Sequence, residues 1–218
     1  MEYGELYRLR WRRFQIYFFA ASRVILAVVA LVAIGQQLIL HVEASYSVLN
    51  FFSYFTNLSN LCAVFVLLLS VFFDKEKSRD LVRYISTVNM TIVGLVFAVL
   101  LRDVDLGALL PWVNYMLHYV MPVAIVLDWL LRPPASRLRS ESLFLAMAFP
   151  SAYLTYVILR GADTGWYPYP FLNPANVGGY GGVAMYACGI AAAFVLAALA
   201  LLAVGNRLSD SKSLRARE

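Results

Sequence analysis

The fold is decided by a stretch near the end of the chain, Gly182-Val-Ala-Met-Tyr-Ala-Cys-Gly-Ile-Ala-Ala-Ala-Phe-Val-Leu-Ala-Ala-Leu-Ala-Leu-Leu-Ala-Val-Gly205. It contains no charged residue, and it is longer than the roughly 20 apolar residues with which a helix crosses the hydrocarbon core of a bilayer. Five further apolar runs precede it, at 16–40, 48–73, 84–101, 109–131 and 142–159. Because these runs are continuous and do not alternate, they predict membrane-spanning helices and not the strands of a barrel.

The composition of the whole chain agrees with this prediction. Of its 218 residues, 61% are hydrophobic and 14% are charged, against about 25% charged in a typical soluble domain, and the mean hydropathy is +0.70. These values exclude a soluble cytosolic enzyme, a disordered chain and a nucleic-acid-binding domain. We therefore expect an all-α polytopic membrane protein, a six-helix bundle over 16–205, flanked by basic segments at 1–15 and 206–218.

The basic residues lie mainly on one side of the predicted membrane. Fifteen of the 18 Lys and Arg residues fall in the terminal segments and in the second and fourth loops: Arg8, Arg10, Arg12, Arg13, Lys75, Lys77, Arg79, Arg83, Arg132, Arg137, Arg139, Arg207, Lys212, Arg215 and Arg217. Only Arg102 and Arg160 lie on the other side, where Asp103 and Asp105 make the third loop acidic. The positive-inside rule then predicts a multi-pass protein of the plasma (inner) membrane with both termini cytoplasmic. The net charge of +5 is explained by this bias and implies no nucleic-acid partner.

Three ionisable residues fall inside the predicted spans: Arg23, His118 and Asp128. Arg23 is close enough to the cytoplasmic end of its span to snorkel to the headgroups. Asp128 is followed at i+4 by Arg132, which predicts a surface pair on one helix. His118 is different, because it lies about 13–14 Å below the outer end of its helix and its side chain is too short to snorkel. It is either a structural histidine between helices or a base or proton relay.

Thr56 lies at nearly the same predicted depth as His118, about 12 Å from the outer end of the second span. Its hydroxyl either bonds back to its own helix or faces the histidine. Other polar side chains of the spans surround this level: Asn57, Ser59, Asn60, Asn89, Thr91 and Asn114. They either join helices by hydrogen bonds or line a polar pocket that opens outward.

Such a pocket would contain the groups needed for nucleophilic attack by a hydroxyl. A threonine hydroxyl becomes a nucleophile when a base removes its proton, and His118 is that candidate base. Asn57, Asn60 or Asn114 would donate to the developing oxyanion. The reaction class would be acyl transfer or ester hydrolysis on a lipid from the outer leaflet. Asp128 is about 15 Å along the helix from His118, so it is too far to complete a triad.

No metal or cofactor is expected. A single membrane histidine with Cys62 and Cys188, two cysteines in apolar runs, provides no zinc ligand set. Neither a Walker loop nor a GxGxxG loop occurs in the sequence.

The fifth loop is long and aromatic and is interrupted by prolines: Gly165-Trp-Tyr-Pro-Tyr-Pro-Phe-Leu172. Its rings, among them Trp166 and Tyr169, predict either an anchor at the headgroup level or a lid over a cavity in the bundle. Arg160 and Arg102 end two helices on the same side. Each either holds a substrate carboxylate or faces water and headgroups.

Three of these stretches together resemble a known family. They are Tyr54-Phe-Thr-Asn-Leu58, Trp112-Val-Asn-Tyr-Met-Leu-His-Tyr-Val-Met-Pro122 and the Gly165 to Leu172 loop. In this order they are similar to segments of the androgen-induced and androgen-dependent (FAR-17a-like) six-helix membrane proteins, which hydrolyse fatty acid esters of hydroxy fatty acids, and the chain resembles a bacterial relative. The resemblance implies Thr56 as nucleophile, His118 as base, Asn114 as a supporting residue and the loop 166–172 as a wall of the cavity. Pro168 is an extra residue relative to the family's loop.

The residues leave three functions open. The first is a lipid-ester hydrolase with a Thr–His dyad, whose partner is a membrane lipid or lipid-like ester. The second is a proton-coupled or lipid transporter that uses His118, Asp128 and Arg23, although the sequence contains no internal repeat to support it. The third is a non-catalytic membrane scaffold or lipid sensor, in which the polar cluster holds helices together.

Overall fold

A computed structural model of the protein describes residues 3–72, 77–104 and 109–215. The predicted end of the second span at Phe73 and the charges of Lys75, Asp105 and Arg217 lie outside these residues. The described chain is helical, and its elements are α1 (Tyr3–Glu43), α2 (Val48–Phe52), α3 (Phe55–Phe72), α4 (Lys77–Val96), α5 (Pro111–Tyr115), α6 (Met121–Leu131), α7 (Ser142–Thr164) and α8 (Tyr180–Arg215). Two π-helical segments, Phe97–Leu101 and Met116–Val120, extend α4 and join α5 to α6.

Six stretches of the described chain are long and apolar enough to cross a membrane: Arg13–Glu43, Phe55–Phe72, Ser78–Leu101, Pro111–Leu131, Ser142–Thr164 and Tyr180–Ser211. The predicted six-span, all-helical membrane fold is therefore confirmed. We call the end of the bundle with segments 44–54 and 165–179 the loop end. The other end, with the two chain termini, is the terminal end. α8 continues in helical form beyond the predicted boundary at 205.

α4 forms the centre of the bundle. It packs against α3, α6, α7 and α8, and Tyr84, Val88 and Met90 on it are fully buried. α7 and α8 are the least buried spans, and their exposed faces are apolar, as expected of helices that face lipid.

The second predicted span differs from the structure. The sequence predicts one run over 48–73, but the helix is interrupted at Ser53 and Tyr54, and the spanning helix α3 begins at Phe55. The interruption is stabilised by Tyr153 of α7, whose hydroxyl donates to the Ser53 carbonyl at 2.8 Å and accepts from the Phe55 N–H at 3.1 Å. Bonds from a distant helix thus replace local helical bonds, and Thr56 falls in the first turn of α3.

Proline explains the π-helical segment of the fourth span. Pro122 has no N–H, so it cannot donate to the carbonyl of His118 four residues earlier, and its ring crowds that carbonyl. The chain widens here, and the Met121 N–H donates to the Met116 carbonyl five residues back. Gly94 of α4 faces the proline, because a Cβ at this position would lie 3.1 Å from the Pro122 Cβ. A proline on one helix and a glycine on the other let α4 and α6 approach closely around His118.

An ion network of Arg23, Asp80, Arg83 and Asp128 connects the helices at the terminal end. Arg23 of α1 donates from Nε and Nη2 to the two carboxylate oxygens of Asp128 at 2.8 and 3.1 Å. Arg83 of α4 donates to Asp128 at 2.9 Å and contacts Asp80 at 3.4 Å. Arg23 is only 6% exposed, so the snorkelling prediction is wrong. The carboxylate of Asp128 bonds with Arg23 and Arg83 and does not form the predicted surface pair with Arg132, whose guanidinium lies over the Phe19 ring.

Candidate active site

Thr56 and His118 are in direct contact. The Thr56 Oγ1 lies 3.2 Å from the His118 Nε2, and the two residues are 8% and 7% exposed. Thr56 comes from the first turn of α3, and His118 comes from the π-helical segment between α5 and α6. The two residues predicted at equal depth are therefore brought together, although the break before α3 was not predicted.

The surroundings of His118 determine which nitrogen carries the proton. Nδ1 lies 3.1 Å from the main-chain carbonyl of Asn114, and a carbonyl only accepts. In the neutral ring Nδ1 is thus the donor, and Nε2 presents its lone pair to the Thr56 hydroxyl. Phe97 stacks on the imidazole with ring centroids 4.1 Å apart and a 22° interplanar angle. The ring is held in the tautomer and orientation that a general base needs.

The backbone at the start of α3 is capped by two tyrosines. The Thr56 N–H donates to the Tyr169 hydroxyl at 3.3 Å, and Tyr153 receives the Phe55 N–H. The first N–H groups of a helix have no partner within the helix and carry partial positive charge. Thr56 therefore sits where a developing negative charge is stabilised, next to a buried phenol.

The asparagines predicted as oxyanion donors are engaged elsewhere. The Asn57 amide donates to the Phe51 carbonyl at 2.8 Å, and the Asn60 amide donates to the carbonyls of Thr56 and Leu117 at 2.9 and 3.2 Å. Both amide hydrogens of Asn60 are thus committed to backbone. Asn60 thus connects α3 to the segment that carries His118, and Asn57 connects α3 to α2.

Two predicted site residues on the spans, Asn114 and Asn89, direct no side-chain hydrogen bond to Thr56 or His118 in the described structure. Asn114 contacts His118 through its main-chain carbonyl, and its side-chain oxygen is buried without a hydrogen-bond partner. Asn89 of α4 is 4% exposed, and its side-chain oxygen is also without a partner. Neither residue lines the cavity described below.

The two predicted arginines have different surroundings. Arg102 forms an exposed ion pair with Asp103 at 3.1 Å. Arg160 donates to the Asn50 side-chain oxygen, and its guanidinium lies 4.9 Å from the centre of the Trp166 ring. The structure brings Arg160, but not Arg102, to the aromatic loop.

A row of rings connects that loop to Thr56. Trp166 and Tyr169 both contact Tyr54 edge-on, at centroid distances of 5.7 and 5.8 Å, and Tyr169 stacks on Phe171 at 5.2 Å. Burial raises the pKa of the Tyr169 phenol above its ordinary value, because an apolar environment disfavours the phenolate. Tyr169 therefore remains a hydrogen-bond donor through neutral pH.

Thr56 and Tyr169 line a cavity of about 140 Å³ between α4, α7, α8 and the aromatic loop. The walls are mainly aliphatic and aromatic, and none of the lining side chains in the described ranges carries a charge. The lining residues are Phe55, Thr56, Ile92, Val93, Val96, Leu101, Met147, Pro150, Ser151, Tyr153, Leu154, Tyr169, Phe171, Leu172, Ala187, Ile190, Ala191 and Phe194. An apolar cavity with a few convergent hydroxyl groups is typical of a site for an apolar ligand.

Residues 23–203 match the model of a family described as FAR-17a/AIG1-like protein. The chain belongs to this family. No curated protein and no solved structure is significantly similar to it. The range that matches the FAR-17a/AIG1-like family contains the dyad of Thr56 and His118, the whole cavity and the ion network. The resemblance predicted from the three sequence stretches is confirmed at the level of the family.

Two residues at the site of this FAR-17a/AIG1-like protein were missed by the sequence reasoning. Phe97 stacks on His118, and Tyr153 caps α3 and lines the cavity. Aromatic residues in apolar spans give no local signal of such contacts. Pro122, four residues after His118, was the available sign that the helix around the histidine is irregular.

The described ranges contain no group of three or more His, Cys, Asp or Glu residues that could hold a metal ion. The groups around the cavity are hydroxyls, one imidazole and backbone amides. This set is suited to acid–base and nucleophilic chemistry on an uncharged carbonyl.

Proposed function

We propose that this protein is an integral-membrane hydrolase of lipid, fatty-acid-type esters that uses Thr56 as nucleophile and His118 as base. The observation that carries the proposal is the contact between Thr56 Oγ1 and His118 Nε2 at the wall of an apolar cavity. Its substrate is a membrane lipid or a lipid-like ester, whose apolar part fits the uncharged lining.

The first step is attack by the hydroxyl. His118 Nε2 takes the proton as Thr56 Oγ1 forms a bond to the ester carbonyl carbon. The Asn114 carbonyl, bonded to Nδ1–H, stabilises the imidazolium that forms. No carboxylate contacts the ring in the described structure, so the base relies on this main-chain dipole and on its fixed orientation.

The second step concerns the oxyanion. In the tetrahedral intermediate the former carbonyl oxygen carries the negative charge. The Tyr169 hydroxyl accepts from the Thr56 N–H and lines the cavity. Its own O–H is the donor that we assign to the oxyanion, the role for which the asparagines were first candidates. The N-terminal amides of α3 add their partial positive charge.

The third step releases the products. His118 returns its proton to the leaving alkoxide, which departs as the alcohol and leaves the acyl group on Thr56. A water molecule, deprotonated by His118, then attacks the acyl-threonine and frees the fatty acid, and Thr56 regains its proton. The cycle consumes one ester and one water molecule, yields an alcohol and a fatty acid, and needs no cofactor.

We also infer in which membrane the protein lies and which end of the bundle faces the cytoplasm. The excess of Lys and Arg at the terminal end supports a cytoplasmic position of both termini, as the positive-inside rule predicts. The loop end, with Thr56 and the aromatic loop, then faces away from the cytoplasm, and substrate comes from the outer leaflet of the plasma (inner) membrane.

Hydrolysis of a long-chain fatty-acid ester in mixed micelles by the purified protein tests the proposal. Wild type, Thr56→Ala, Thr56→Ser and His118→Ala are compared with Thr91→Ala, a threonine whose hydroxyl bonds to the Thr87 carbonyl in its own helix. We expect the two alanine variants at the dyad to be inactive, Thr56→Ser to retain activity and Thr91→Ala to match wild type. Full activity of a folded Thr56→Ala variant would exclude the dyad.

A further inference from the structure

We propose that the acyl chain enters the cavity sideways from the bilayer, through a portal between α7 and α8 at Ser151 and Ala191. This inference rests on the proposed function for the chemistry of the ligand, but it stands on a different observation, namely where the lining of the cavity is exposed.

The cavity has a buried end and an exposed side. At the buried end, Thr56 and Tyr169 are each 8% exposed. Of the lining residues, Ser151 on α7 and Ala191 on α8 are the two exposed ones. Both belong to membrane spans, so this exposed side of the cavity faces the acyl chains of the bilayer.

The portal lies close to the midplane of the bilayer. Ser151 lies 13 residues before the end of α7 at Thr164, and Ala191 lies 11 residues after the start of α8 at Tyr180. At 1.5 Å per residue both lie roughly 16–20 Å from the loop end, close to the midplane of a core about 30 Å thick. The Phe55 N–H, next to Thr56, donates to Tyr153, two residues from Ser151 on α7. Thr56 therefore lies beside the same part of α7 as the portal, across the cavity that Thr56 and Ser151 both line.

The residues at the portal are small or lack a backbone N–H. Ala187 and Ala191 lie one turn apart on α8, and Pro150 precedes Ser151 on α7. Without an N–H, Pro150 cannot donate a helical hydrogen bond, although α7 continues through it. Ser151, Ala187 and Ala191 are smaller than the other cavity-lining side chains of α7 and α8, and they obstruct a chain that enters between these helices least.

Among the residues that the structure describes, the cavity is covered at the loop end. Phe171 and Leu172 cover the cavity there and are 8% and 3% exposed. The Phe171 ring stacks on Tyr169 at 5.2 Å and on Tyr186 of α8 at 5.9 Å. Entry from the loop end would require the stacked rings to separate, whereas entry between Ser151 and Ala191 does not pass these rings.

Photo-crosslinking in lipid vesicles tests the portal without relying on catalysis. The full-length Thr56→Ala variant is reconstituted in phosphatidylcholine vesicles with a palmitoyl ester that carries a diazirine near the end of its chain. The labelled peptides are identified by mass spectrometry. We expect adducts on the cavity-lining residues of α7 and α8, and loss of these adducts when Ala191→Trp or Ser151→Trp is added.

Ala192→Trp is the matched control, because Ala192 is the next residue of α8, is exposed and does not line the cavity. We expect it to leave labelling unchanged, and melting temperatures check that all variants fold. Labelling that survives both portal variants, that is lost equally in the control, or that falls only on the aromatic loop would overturn the portal. Labelling at the portal together with an inactive wild type would instead retain the portal and reject the hydrolase.

Discussion

The protein contains two buried polar clusters at opposite ends of the bundle, and they differ in how their groups are satisfied. At the terminal end, the ion network pairs each buried charge with an opposite charge at 2.8–3.4 Å, and its two arginines also donate to nearby carbonyls. At the loop end, the dyad consists of two uncharged groups in a single hydrogen bond, and one of them faces a cavity.

The difference distinguishes polar groups that hold the fold from polar groups that are available for chemistry. In the ion network, removal of a charge leaves buried opposite charges without one of their partners, which is costly in an apolar interior. In the dyad, the hydroxyl and the lone pair are aimed at each other but neither carries charge, so loss of one leaves little unpaired. We therefore expect changes at the terminal end to reduce stability and changes at the loop end to reduce activity.

The largest expected effect is on activity at the dyad. His118→Ala removes the proposed general base and is expected to lower kcat for ester hydrolysis about 10²–10⁴-fold, with little change in melting temperature. Thr56→Ala/His118→Ala is expected to be no less active than the weaker single variant, because the two groups act as a unit. Steady-state kinetics of the three variants check this, and additive losses would show that the residues act separately.

The second effect is on stability at the ion network. Asp128→Asn leaves Arg23 and Arg83 buried without their shared carboxylate, and we expect the free energy of unfolding to fall by about 3–5 kcal/mol. Denaturant titration in detergent micelles measures it, with Thr56→Ala as the comparison at the other end. An Asp128→Asn protein as stable as Thr56→Ala would remove the distinction between the two clusters.

The third effect is on kcat and concerns Tyr169, the proposed oxyanion donor. Tyr169→Phe keeps the ring stacking but removes the hydroxyl, and we expect kcat to fall about 10²–10³-fold with a smaller change in KM. Because burial raises the pKa of this phenol, the difference between wild type and variant should persist from neutral to mildly alkaline pH. It should narrow only as pH rises through the raised pKa and the phenol loses its proton.

Tyr167→Phe is the control for that measurement. Tyr167 lies in the same loop, and its hydroxyl contacts Tyr180 at 3.5 Å, away from the cavity. We expect it to keep wild-type kcat. Equal losses in the two variants would assign the effect to the loop and not to the Tyr169 hydroxyl.

A fourth, smaller effect on kcat is expected where α4 packs against the segment that carries His118. Gly94→Ala places a Cβ 3.1 Å from the Pro122 Cβ and pushes on the segment that carries the imidazole. Overpacking of this kind costs about 1–3 kcal/mol, and we expect kcat to fall more than KM changes. Gly35→Ala on α1 is the control, because nothing lies within 4 Å of the added Cβ. Equal kinetics for the two variants would contradict positioning through Pro122.

The smallest effect is expected at Asn114. Its main-chain carbonyl, and not its amide, accepts from His118 Nδ1, so Asn114→Ala should retain most of the activity. The comparison of kcat for Asn114→Ala and His118→Ala measures this directly. A loss as large as that of His118→Ala would show that the side chain participates.

Sequence reasoning predicted the spans because apolar runs and charge bias are properties of the chain itself. It also predicted that Thr56 and His118 lie at one depth, since depth follows from residue counts along helices. It did not predict the break at Ser53 and Tyr54, which depends on bonds from Tyr153 about a hundred residues away. The pairing of Arg23 with Asp128 was missed for the same reason, because only the folded bundle brings these two side chains within hydrogen-bond distance.

The most direct test of the dyad is covalent labelling of the detergent-purified protein with a long-chain fluorophosphonate. Wild type, Thr56→Ala and His118→Ala are labelled in parallel, and the modified peptides are identified by mass spectrometry. The account predicts an adduct on Thr56 in wild type that is absent from Thr56→Ala and lost in His118→Ala. A folded wild-type protein without an adduct on Thr56, or an adduct that forms equally without His118, would contradict it.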